Sequence, residues 1–168
     1  MRNTRPMHLV LIVAAVAASL TAVVVAQQGV SDDVDGYFSW TRLNPQRNFI
    51  ESAHPAPKDV YVNDTGVQHA FDREFPFAEG TVLVKEVMTE DGLQVAMLPS
   101  MRKVADFDPD GNDWQYAMFE RQDDGSFAGE WLDVGTDMHA MCSDCHAAAA
   151  DTDYAFLTYM LSPDTNDD

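Results

Sequence analysis

A chain of 168 residues with 28 acidic and only 10 basic side chains carries a formal charge of −18. Such a surface repels polyanions, which argues against nucleic acid and anionic membranes and favours cationic partners; a solvated acidic coat suited to salty surroundings is the plainer reading of the same charge. Two cysteines are too few for a disulfide framework or a four-cysteine zinc site.

Residues 1–26, "MRNTRPMHLVLIVAAVAASLTAVVVA", have a positive start (Arg2, Arg5), and residues 9–25 are apolar except Ser19 and Thr21. Small residues before Gln27 complete the pattern of a secretory signal peptide. An uncleaved anchor is the alternative, since the stretch is close to the ~18 residues a membrane span needs. Either way the remainder is expected to be exported, to a periplasmic or similar compartment. Cleavage would remove Arg2 and Arg5 and take the charge from −18 to −20. Residues 27–35 read as an acidic leader and 36–168 as a single domain, long enough for a real core.

Within that domain "GYFSWTRLN" (36–44) predicts a short helix, and the prolines at 45, 55 and 57 mark a connecting loop. The period then changes to two. "DVYVND" (59–64) predicts a strand with Val60 and Val62 on one face. "GVQHAFDREF" has Val67, Ala70 and Phe71 at helical spacing. "GTVLVKEVM" (80–88) and "GLQVAML" (92–98) form a hairpin across "TEDG". "DWQYAMFER" (113–121) is a further strand, and "DDGSFAGEW" a turn plus strand. Helices are expected from about Met138 through residue 146 and around 154–161. The whole reads as α+β: an antiparallel sheet with a few short helices.

The last predicted helices bracket "MCSDCHAAAADTDYAF" (141–156), which holds both cysteines. Cys142-x-x-Cys145-His146 is the attachment spacing of a c-type haem, which implies thioethers at Cys142 and Cys145. A thioredoxin-like redox pair is disfavoured by the adjacent histidine and the missing βαβ pattern. Only 22 residues follow His146, so little chain remains for a distant methionine ligand. A late motif also occurs in helical cytochromes c′, but period two and turn dipeptides upstream do not suit a four-helix bundle. The upstream sheet is therefore expected to cover the haem.

One strand poses a conflict. In "GTVLVKEVM", alternation puts Lys85 on the face of Leu83 and Val87, and Glu86 on the face of Val84 and Met88. Both charges cannot face water, and a buried ammonium is costly unless paired or neutralised. The plain alternative is a lysine near a strand end, snorkelling or ion-paired.

Taken in order, "GYFSW", "KDVYVND", "FPFAEGTVLVKEV", "NDWQYAMF" and "CSDCHAAAADTDYAF" resemble the cytochrome P-460 family from about residue 36 to 159. The resemblance implies a sheet of about five strands, often in a homodimer. It implies one covalent haem c, with His146 as proximal iron ligand and the sixth position open. It also implies a bond from the Lys85 side chain to a carbon of the haem ring, which would remove the burial conflict and change the haem's redox chemistry. The implied reaction is hydroxylamine oxidation to nitrous oxide or nitric-oxide products, with electrons passed to a c-type cytochrome. The alternatives are a binder of nitric oxide or carbon monoxide, as in the related cytochrome c′-beta, and an electron shuttle.

For the distal proton acceptor the candidates are Asp106, Asp108 and Glu120, none favoured. Met138, His139 and Met141 read as core or surface of the helix before the motif, and Met160 as a packing residue. His54 and His69 read as surface or loop residues. Trp114, Tyr116 and Phe119 are core aromatics or pocket walls. Lys58 and Arg102 are candidates for the haem propionates, and Phe75 and Phe77 for crowding the distal face.

Overall fold

The computed structural model describes residues 31–47, 54 and 56–157. The segment read as a signal peptide (1–26), residues 27–30 of the leader and Met160 lie outside the described residues. No helix among the described residues is long and apolar enough to cross a membrane.

Alternating hydrophobicity becomes a six-stranded antiparallel meander whose spatial order is its chain order. The strands are β1 (Thr41–Arg42), β2 (Lys58–Val62), β3 (Val82–Met88), β4 (Val95–Lys103), β5 (Trp114–Arg121) and β6 (Phe127–Ala128). Two helices, α1 (Asp64–Asp72) and α2 (Asp137–His146), complete an α+β fold. The sheet has one strand more than expected, and its outermost strands are only two residues long.

Three local differences have physical causes. The helix predicted over 36–44 is a single 3-10 turn, Tyr37–Ser39, because Trp40 is already extended and Thr41 and Arg42 gain ladder partners on β2. The strand predicted over 92–98 starts at Val95 and runs through Pro99 to Lys103. Proline lacks an N–H, and the β3–β4 pairs step from Val84↔Ser100 to Val87↔Met97, so the gap in the ladder receives the ring. Lastly, of the helix expected around 154–161 the described residues are not helical: Asp153 and Tyr154 are both left-handed (φ 53° and 63°) and 155–157 are irregular, while 158–161 lie outside the described residues.

The sheet buries both faces. Val60, Val62, Leu83, Met101, Trp114 and Tyr116 pack on one side beneath α1 and the chain after α2. Val82, Val84, Leu98, Ala117 and Phe119 pack on the other against Val34 and Tyr37. α1 rides close to the sheet at Gly66, where a Cβ would fall 2.7 Å from Val62 Cγ2 and closer still to Thr81 Cγ2.

Candidate functional site

Between the first sheet face and α2 lies a mostly apolar cavity, the kind of concave site that ligands and cofactors occupy. Leu83, Lys85, Met101, Tyr116 and Met118 come from the sheet, Cys142 and His146 from α2, and Phe156 from the chain beyond it. The sheet upstream of the motif thus faces it, as the sequence order implied.

Local rules place the motif. Thr136 caps α2 by accepting from the His139 N–H (3.2 Å), with Asp137 in the first turn, where the helix dipole favours an acid. Cys142 and His146 are four residues apart, hence one turn apart on the same helix face. Cys142 is half-buried and Cys145 exposed. Burial, with Cys145 nearby, pushes the Cys142 thiol up.

The His146 ring packs against Tyr116 (5.1 Å between centroids) and Phe156 (5.2 Å). Its Nδ1 donates to the Tyr154 carbonyl (2.7 Å). That bond fixes the tautomer, so Nε2 keeps its lone pair for a metal. Burial outweighs this carbonyl and, with Lys85 near, lowers the imidazole pKa to about 4. The ring is neutral at neutral pH, as a ligand must be.

Lys85 projects from β3 into the same cavity, opposite Val60 on β2. Burial, then Lys58, lowers its pKa to about 8, with Cys145 acting in the other direction. Glu86, the next residue, points away. It accepts from the Tyr37 hydroxyl at 2.7 Å and lies 3.8 Å from Arg47. The strand thus sends one charge inward on each face.

Other expectations are corrected. Asp106, Asp108 and Glu120 do not line the cavity. Asp106 and Glu120 are exposed, and Asp108 lies 3.7 Å from His139 Nε2. Arg102 alternates onto the opposite face, bound to Asp33 and Gln115 and stacked over Trp131 at 4.3 Å. It does not line the cavity. Lys58 is buried on β2. Phe77 is spent on Trp114 (5.8 Å) and Phe75 on Phe77, so neither crowds the cavity. Of the aromatics on β5, Tyr116 alone lines it; Trp114 is core and Phe119 belongs to the other face.

His139 is core, edge-on to Tyr116 and Phe107, while Met138 and Met141 are exposed. His69 is tied to the Glu74 carbonyl. His54 is a loop residue as expected but also lines the cavity, and burial with Lys85, His146 and Lys58 nearby lowers its pKa to about 4. Its only sequence signal was a place four residues before the buried β2.

The residues fit a haem. The walls are largely apolar, a neutral imidazole is held ready, and Cys142 lines the cavity with the exposed Cys145 at attachment spacing from it. The buried Tyr116 hydroxyl has no hydrogen-bond partner among the described residues, leaving a donor for a polar edge. No curated protein matches the chain. The cytochrome P460 family model matches residues 34–157, most of the chain and every strand and helix just described. The chain belongs to the cytochrome P460 family, whose members are haem-binding cytochromes.

Proposed function

We propose that this cytochrome is exported, carries one covalent haem c and oxidises hydroxylamine at an open iron, passing the electrons to a c-type cytochrome. The observation that carries the reading is Lys85 entering an apolar cavity that it shares with Cys142 and His146. Cys142 and Cys145 would hold the haem by thioethers, His146 would ligate its iron and Lys85 would bond to the ring. A lysine whose pKa is lowered to about 8 is partly free amine near neutral pH, the form able to make that bond. The haem supplies an electron acceptor and an open coordination position.

The protein's own residues supply the rest. Hydroxylamine loses protons as it loses electrons, so the cavity needs a proton acceptor. With Cys142, His146 and Lys85 committed to the haem, His54 and Tyr116 remain as titratable side chains lining the cavity among the described residues. His54, neutral at pH 7, takes the proton; Tyr116, whose pKa burial raises, stays protonated and donates. The apolar walls keep bulk water from competing.

The test is mass spectrometry of proteolysed, haem-loaded protein, followed by hydroxylamine turnover with an artificial electron acceptor. Haem joining the Lys85 peptide to the Cys142–Cys145 peptide, with turnover lost in Lys85→Met, is the expected result. Because no carboxylate lines the cavity among the described residues, a gas-binding role is the second reading. It predicts haem held by the cysteines alone, tight nitric oxide binding and no turnover.

A further inference from the structure

The Tyr154 carbonyl that holds His146 belongs to a turn with its own anchor. Asp153 is buried and left-handed, as is Tyr154, a conformation that residues with a Cβ adopt only when their surroundings enforce it. The Asp153 carboxylate accepts from Lys103 Nζ at 2.9 Å through each oxygen, from the Phe77 N–H at 2.7 Å and from Asn112 Nδ2. The Asp153 carbonyl accepts from Trp114 Nε1 at 2.7 Å. Lys103, itself buried, lies over the Trp114 ring at 4.9 Å, and the two residues are ladder partners on β4 and β5. Five bonds from four residues outside the turn therefore converge on one residue. The next carbonyl in the chain carries the Nδ1 proton of His146.

We propose that Asp153 is the positioning residue for the axial histidine. Its ion pair with Lys103 ties the 153–154 turn to the sheet, and the turn presents the Tyr154 carbonyl to His146. A fixed acceptor at Nδ1 sets the ring's orientation and makes Nε2 more basic, which favours the oxidised iron. The same sheet carries Lys85, so the latch references both haem-directed side chains to one rigid body. The inference rests on His146 as iron ligand and holds whichever reaction the haem performs.

The test is resonance Raman spectroscopy of the ferrous haem-loaded protein, with a reduction-potential titration. In Asp153→Ala the iron–histidine stretch should shift to lower frequency and the potential should rise. Asp153→Asn, which keeps an acceptor for Phe77 but loses the charge, should fall between that variant and the parent. Should Asp153→Ala fail to load haem, Lys103→Met carries the test, with the same downward shift expected. Asp59→Ala, which removes a buried carboxylate on the other sheet face, should lower stability and leave the band in place. A parental band unmoved in the Asp153 and Lys103 variants overturns the latch alone. A parent without an iron–histidine band overturns the ligand assignment and the latch with it.

Discussion

Lys85 and Glu86 are neighbours on one strand, both withdrawn from bulk water, and they meet opposite fates. On the Glu86 face every charge is answered. Asp59, directly across the ladder, accepts from Asn44 Nδ2 (3.0 Å) and Arg47 Nε (2.7 Å). Arg47 reaches both carboxylates, at 2.6 Å for Asp59 and 3.8 Å for Glu86. Asn44 also takes the Val60 N–H, which ties the first strand's exit loop to β2. On the Lys85 face, which also carries the buried Lys58 and the Lys103–Asp153 ion pair, the lysine meets a largely apolar cavity. A buried charge inside a closed network is part of the scaffold; one directed into an open volume belongs to what fills that volume.

The comparison breaks first at Asp59. Asp59→Ala removes the buried acceptor shared by Asn44 and the half-exposed Arg47 and should cost about 1–3 kcal/mol, read by chemical denaturation. A loss below about 1 kcal/mol would mean the network is less closed than its geometry.

On the other face, His54→Ala should leave stability nearly unchanged and slow hydroxylamine turnover at least about 10²-fold, or about 2.7 kcal/mol in the barrier. Unchanged turnover would remove His54 from the reaction.

The Lys85 amine gives a pH signature. Its folded pKa, about 8, lies below the ordinary 10.5, so between those values the unfolded chain binds more protons and stability rises with pH. The rise in haem-free protein should be about 1–3 kcal/mol, allowing for partial exposure. It should vanish in Lys85→Met and in any cross-linked holoprotein. A flat profile in haem-free wild type would place the amine in water.

The smallest effect is expected at Tyr37→Phe, which removes the Glu86 hydrogen bond and should cost about 1–2 kcal/mol in thermal or denaturant unfolding without altering the haem spectrum.

Much of this division was legible. Period two around Leu83 and Val84 announced that Lys85 and Glu86 could not both face water, and Cys142, Cys145 and His146 announced the motif. Alternation does not say which face holds a cavity, so it could not exclude Arg102, one register step from the cavity side, as a propionate partner. Pro99 masked half of β4 because proline reads as a strand end, whereas here it sits where the ladder has a gap. His54 and Asp153 act through contacts made in three dimensions. Asp153 gathers partners 76, 50 and 41 residues away, and no local pattern records such distances.

The meander has a consequence in time. Each strand pairs with the strand just before it, so the sheet closes only short loops as it grows, the cheapest order of assembly. A chain emerging N-terminus first exposes all six strands before Cys142 appears. The wall that carries Lys85 is then complete before Cys142 appears, and α2 and residues 153–157 pack onto it afterwards. The cavity is therefore the part of the fold that closes late, between a finished sheet and the segments that follow it.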